Sequence, residues 1–280
     1  MLTSLFVLGA CLGSFANVVI ARLPDGISVV SPRSRCPSCL TTIAWYDNIP
    51  LMSFLVLRAR CRHCGARIRL RYFLVELLAA SLCAALWMRF GWSWQLVMWV
   101  PLCLALLIIV FLDIDHWWVP DVITLPAMVF AFAASFLPGG LSWVAALLGA
   151  APAGLMWVVA WLFERATGRE GMGLGDMKLL AVIGLGLGAV DALSVLLLAA
   201  VQGSLIGGLV VLAGGHRGVA TAAPAPESAA PTDPEAWVPP RRAIPFGPFL
   251  VLGAYEVVLV PGTFAGLPQR ISGWLLGLMT

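Results

Sequence analysis

The stretch VPLCLALLIIVFLDIDHWWVPD, Val100 to Asp121, joins a membrane-like apolar run to a cluster of acids. Its first half is almost pure hydrocarbon, and its second half carries Asp113, Asp115 and Asp121. An apolar run of this kind reads as a spanning helix, which needs roughly 20 residues to cross the hydrocarbon core of a bilayer. Carboxylates are expensive at that depth, so the three acids mark the point where the helix reaches the interface.

The same pattern recurs outward from this stretch. The 280 residues are 61% hydrophobic and 11% charged, with a mean hydropathy of +0.96, far outside the range of a water-soluble domain. Such a chain buries its apolar surface in lipid. Apolar runs at 2–20, 72–90, 94–112, 122–138, 142–163, 177–192, 193–213 and 246–263 predict an all-α polytopic membrane protein with about eight transmembrane helices. The stretch 177–213 is continuous apart from Asp191 and is divided near Gly188–Asp191; residues 266–280, with Pro268 and Arg270, read as a tail or interfacial segment. The first run has no basic start, and Asn17 and Arg22 close it without a small-residue cleavage site. It therefore reads as a retained helix rather than a signal peptide.

Basic residues set the orientation, because Lys and Arg accumulate in cytoplasmic loops. With the N-terminus outside, the loops at 21–71, 113–121, 164–178 and 214–245 are cytoplasmic and hold all of the seventeen Lys and Arg residues except Arg89 and Arg270. The net charge of +3 thus describes a basic membrane face. No DNA- or RNA-binding pattern accompanies it, so nucleic acid is not an expected partner.

The expected organisation is a first transmembrane helix at 1–21, a cytoplasmic tetracysteine domain at 22–71 and a membrane core at 72–213. A Pro/Ala-rich linker at 214–243 and a final helix with its tail at 244–280 follow. The linker lacks the apolar content to form a core. There is no internal repeat.

Seven cysteines divide into two kinds. Cys11, Cys83 and Cys103 stand singly in apolar runs and read as small buried side chains. Cys36, Cys39, Cys61 and Cys64 form CPSC and CRHC in a C-x2-C-x21-C-x2-C arrangement. Two such pairs let four thiolates converge on one Zn²⁺, and four sulfur ligands leave no open position, which makes the role structural. Disulfides are the competing reading, and they are disfavoured in the reducing cytoplasm. His63, inside the second pair, reads as a solvated residue.

Asp113 and Asp176 both lie where a spanning helix meets the cytoplasmic face, Asp176 within GMGLGDMK at 171–178. Packing the third and sixth spans together brings the two carboxylates face to face. Two adjacent carboxylates do not easily both ionise, so one holds a proton while the other is a base. That asymmetry suits peptide hydrolysis: the base activates water and the acid protonates the carbonyl oxygen. On the residues alone, a proton or ion relay in a transporter remains open. Asp121, after Pro120, reads as a helix cap. Asp115 reads as a cap, a supporting partner or half of a D-x-D metal site. His116 reads as an interfacial residue beside Trp117 and Trp118, and Lys178 as a snorkelling anchor.

GMGLGDMK resembles the GxGD signature of membrane aspartyl proteases, and FLDIDHWWVPD resembles the partner motif of the type IV prepilin peptidases. LGSFANVVIARLP at 12–24, the two CxxC pairs, YDNIPLMSFLVLRARCRHC at 46–64, RYFLVELL at 71–78 and IPFGPF at 244–249 match the same family in order. The resemblance covers nearly the whole chain except the linker. It implies that Asp113 and Asp176 are the catalytic pair of an inner-membrane endopeptidase. Its substrates would be prepilins and pseudopilins of type IV pilus or type II secretion systems. They would be cut at the cytoplasmic face between a basic leader and an apolar helix, typically after Gly. Members with the cysteine loop usually also methylate the new N-terminal amine with S-adenosylmethionine, although the resemblance assigns no residues to that donor. A methyltransferase without protease activity is the remaining alternative. One departure is Ala59 in LRARC, where the family typically has glycine; a Cβ there can weaken the methyltransferase site. Glu76 is a possible polar participant in that site or a structural intramembrane acid.

Overall fold

The computed structural model describes residues 1–168, 173–212 and 244–260. The linker at 214–243, the tail at 266–280 and Gly171 and Met172 of the signature lie outside the described residues. The described residues are helical, with extended pairing confined to the isolated bridges Arg35–Thr42 and Arg60–Arg67. The chain divides into two compact units, Met1–Ile108 and Ile109–Thr280.

The first unit contains α1 (Leu2–Arg22), a loop holding a 3-10 turn (Trp45–Asn48) and α2 (Met52–Val56), then α3 (Leu70–Phe90). The helix α4 (Trp94–His116) begins here and crosses the division. Small residues let α1 and α3 touch backbone to backbone. A Cβ on Gly9 would stand 2.8 Å from the Cα of Ala80, and one on Gly13 would stand 2.8 Å from the Cα of Glu76. Close backbone approach of this kind substitutes for the hydrophobic drive that lipid removes. Asn17, buried on α1, donates from Nδ2 to the carbonyl of Tyr72 at 2.9 Å and so fixes the register of the pair.

The second unit continues with α5 (Asp121–Ala134), α6 (Trp143–Gly149), α7 (Ala151–Thr167), α8 (Leu174–Leu187), α9 (Ala189–Leu212) and α10 (Gly247–Leu259). Its core is α8, which packs against α5, α6, α7, α9 and α10. Met177, Leu179, Leu180, Val182, Ile183 and Leu185 are all buried, as expected of a helix that is apolar all round. Gly149 of α6 and Gly184 of α8 meet so closely that a Cβ on either would collide with the other's carbonyl.

Among the described residues, five helical stretches are long and apolar enough to cross a membrane: Leu2–Arg22, Leu70–Phe90, Trp94–His116, Trp143–Thr167 (α6 and α7 taken together) and Ala189–Val210. The runs expected as spans at 122–138, 177–192 and 246–263 give described helices of only 14, 14 and 13 residues. Residues 135–140 leave the helix through turns around Pro138 and Gly139, the latter at φ +80°. Gly188 at φ +87° stops α8 and sets the division of 177–213 at that single residue. The run 142–163 is broken at Ala150 because Pro152 has no N–H to donate to the carbonyl of Leu148. In the other direction, α4 runs on to His116, so Asp113 lies inside its last turns.

Candidate active site and metal centre

Asp113 is 6% exposed. It sits on α4 just before the helix ends at Trp117, a non-glycine residue at φ +53° whose N–H donates to the Asp113 carbonyl at 2.9 Å. Strained backbone of this type persists where the surroundings over-determine it, often at functional sites. Asp176 is half-buried in the first turn of α8. The third partner is the start of α10. A Cβ on Gly247 would collide with Asp113 Oδ2 and stand 3.4 Å from Cδ2 of Leu179, one helical turn beyond Asp176. Among the described residues, Asp113 Oδ2 and Gln202 Oε1 are the buried side-chain oxygens without a hydrogen-bond partner.

The frame around the pair comes from the link between α4 and α5. Val119 lies against Gly175 of the signature, where a Cβ would come within 2.9 Å of Val119 Cγ2. Asp121 differs from its expected role as a cap. Pro120 is the N-cap, and Asp121 is the first helical residue, with no capping hydrogen bond. Its Oδ1 instead receives Lys178 Nζ at 2.6 Å. Lys178 is therefore an ion-pair partner tying the start of α8 to the start of α5, rather than a free anchor. Asp115 and His116 lie on the last turn of α4, half-buried and exposed respectively. Two residues on from Asp113, Asp115 is turned about 200° around the helix, so it does not share that carboxylate's face.

In the first unit, the Sγ atoms of Cys36, Cys39, Cys61 and Cys64 all lie within 4.8 Å of one another. Cys36 and Cys64 are 3.8 Å apart, close to the edge of a tetrahedron built on zinc–sulfur bonds of about 2.3 Å. Among the described residues this is the one converging group of metal-ligand side chains, and the cysteines are free thiols rather than disulfides. Each CxxC pair is built by the same turn. Leu40 N–H donates to Cys36 O at 2.9 Å and Cys36 N–H to Thr41 O at 3.0 Å; Gly65 N–H donates to Cys61 O at 2.9 Å and Cys61 N–H to Ala66 O at 2.8 Å. Leu40 and Gly65 occupy equivalent left-handed positions, at φ +57° and +70°. Hydrogen bonds centred on Thr41 bring the Cys39 thiol down to about 6. At Cys64 the bond from Ala66 acts downward, yet burial and the neighbouring thiols carry it up to about 11. His63 is exposed, as expected of a solvated residue.

Several contacts were not legible as sites. Arg62 grips Asp47 with three bonds, Nε to Oδ1 at 3.1 Å and to Oδ2 at 2.8 Å and Nη2 to Oδ1 at 2.6 Å, joining the second knuckle to the 3-10 turn. Glu76 Oε2 accepts the N–H of Leu51 at 2.8 Å. Gln202 of α9 donates to both carboxylate oxygens of Glu256 on α10, at 2.9 and 2.8 Å.

Residues 7–90 match the bacterial peptidase A24 N-terminal domain, and residues 100–208 match the type IV leader peptidase family. The chain belongs to the type IV leader peptidase family. It is 41% identical to a prepilin leader peptidase/N-methyltransferase of Myxococcus xanthus, over 98% of this chain and 95% of the relative. A protein of the same name from Aeromonas hydrophila is 34% identical over 91% and 89%. One from Bacillus subtilis is 37% identical over 76% and 85%. No solved structure matches the chain. The two family matches, on either side of residues 91–99, carry the cysteine module and both aspartates respectively.

Proposed function

We propose that this leader peptidase removes the basic leader of type IV prepilins and pseudopilins and then methylates the new N-terminus. The observation that carries the peptidase half is Asp113, buried on α4, with Gly247 of α10 standing against both its carboxylate and Leu179, one helical turn beyond Asp176 on α8, an arrangement that would bring the two carboxyls together. Two carboxyls in such a relation share one proton. The ionised member takes a proton from water as that water attacks the scissile carbonyl, and the protonated member donates to the carbonyl oxygen. Proton transfer then returns the pair to its starting state as the leaving amine departs.

The substrate's apolar helix runs in the bilayer while its basic leader stays on the cytoplasmic side, where the basic loops of this chain also lie by the positive-inside rule. The membrane is accordingly the bacterial inner membrane. Cys36, Cys39, Cys61 and Cys64 would hold a zinc ion that fixes the fold of the segment 22–71. S-adenosylmethionine supplies the methyl group when bound. A relay in a transporter would use the same two acids but has no need of the cysteine module. Incubating membranes with a prepilin and S-adenosylmethionine, then reading products by mass spectrometry, tests both activities. Loss of the leader and addition of one methyl group are expected; an unchanged prepilin contradicts the reading.

A further inference from the structure

The start of α10 brings Gly247 to the Asp113 carboxylate, where a Cβ would collide with Oδ2. The site therefore depends on where α10 sits along its neighbours. A slip of one residue along the helical screw would put Phe246 or Pro248 in the place of Gly247, and both carry side chains. α10 packs along α9, and the two approach through small residues. A Cβ on Gly253 would lie 3.1 Å from the Val195 carbonyl oxygen, and one on Gly203 would lie 3.5 Å from the Phe249 ring. Contacts of this kind join helices in lipid without any hydrophobic drive.

A polar contact between the same two helices lies about 13.5 Å along the α10 axis from Gly247, at 1.5 Å per residue. Gln202, inside the spanning stretch Ala189–Val210, donates from Nε2 to Glu256 Oε1 at 2.9 Å and to Oε2 at 2.8 Å. Its Oε1 is buried without a partner, so the Glu256 carboxylate is what satisfies this amide. No ion pair to Glu256 occurs among the described residues. Hydrocarbon offers no water to replace the two bonds. A slip of α10 would strand the amide and the carboxylate together, which is costly for polar groups away from water. Polar residues inside helix bundles fix register in this way, at some cost in stability.

We propose that Gln202 and Glu256 are positioning residues for peptide cleavage: their pairing locks the register of α10 on α9 and so holds Gly247 against Asp113. The inference rests on the reading of Asp113 as a member of the catalytic pair. The test is prepilin cleavage by the full-length protein, with melting temperature measured alongside. Glu256→Leu should lower kcat by about tenfold or more with KM little changed. Gln202→Glu, which sets two carboxylates against each other, should be slowed as much. Adding Glu256→Gln to it restores the pair in reverse, and cleavage should return to within about threefold of wild type. Wild-type cleavage by Glu256→Leu overturns the proposal, and so does a reversed pair as slow as Gln202→Glu alone. Rates that merely track melting temperature across the series mark a structural contact and overturn it too. Should Glu256→Leu fail to insert, the reversed pair and its Gln202→Glu parent decide. Asp113→Asn in parallel separates the two readings. If it still cleaves, the aspartate pair fails and the positioning role with it; if it is inactive while Glu256→Leu cleaves normally, the positioning role alone fails.

Discussion

Gly247 stands directly against Asp113: any side chain there would enter the space of the carboxylate's free oxygen. On the proposed pairing of Asp113 with Asp176, the IPFGPF motif would supply a third wall of the site. Gly247→Ala should lower the prepilin cleavage rate by about tenfold or more, a loss of ~1.4 kcal/mol of transition-state stabilisation. The Asp113 side chain must swing aside or α10 must shift. The check is a cleavage time course alongside a melting curve, since a fall in rate at unchanged melting temperature assigns the effect to the site.

Asp121 and Lys178 form an ion pair that is open to solvent on both sides, with side chains 55% and 36% exposed. Exposed pairs of this type contribute ~0.2–1 kcal/mol. Asp121→Asn should therefore cut the cleavage rate by no more than about fivefold. Abolished cleavage in this variant would move Asp121 into the chemistry and displace Asp176.

The spans and the metal centre were legible because each leaves a mark that composition alone carries. Lipid demands uninterrupted hydrocarbon, and four thiols in two CxxC pairs have few other uses. The lengths of α5, α8 and α10 were not. A run such as 177–192 is equally apolar whether it faces lipid or, as α8 does, five neighbouring helices. Its end depends on which residue takes a positive φ, and Gly188 does so within the division read near Gly188–Asp191. At the site, Asp113 and Asp176 stood out as acids at the ends of apolar runs. The pairing of Asp121 with Lys178 depends on how α5 approaches α8, so a local reading after Pro120 saw only a cap. Gln202 and Glu256 each interrupt an apolar run, the mark of a polar intramembrane residue, but neither names its partner.

Leu40 holds in the first knuckle the left-handed position that Gly65 holds in the second, and it is 70% exposed, so its side chain contributes little by burial. Leu40→Gly should raise the stability of the cysteine module, the gain from relieved strain being of order 1 kcal/mol before glycine's chain-entropy cost. Ala59, at φ +56°, should respond in the same direction. Ala59→Gly should also raise methylation relative to cleavage. Melting curves and product ratios from mass spectrometry check the pair; a fall in both variants contradicts the strain reading.

Zinc content should be about one ion per chain, and Cys36→Ser or Cys61→Ser should abolish it. Purified protein lacking zinc, when no chelator was used, would overturn the metal centre.

Acid should act on the same module through Asp47. The hydrogen bonds from Arg62 hold this carboxyl below the ordinary carboxylate range. A lowered folded-state pKa means that the pair's stabilisation is present above the unfolded value of about 3.9 and is lost as pH falls through the folded value. Asp47→Asn should therefore reduce stability near neutrality and flatten its decline below about pH 4. Parallel pH profiles of wild type and variant would contradict this.

If Asp113 and Asp176 together perform the cleavage, replacing either carboxyl with an amide should abolish it. Membranes carrying Asp113→Asn or Asp176→Asn, matched to wild type for inserted protein, are incubated with prepilin and the leader is followed by mass spectrometry. Both variants are predicted to leave the prepilin intact. Leader removal at the wild-type rate in either one would contradict the account.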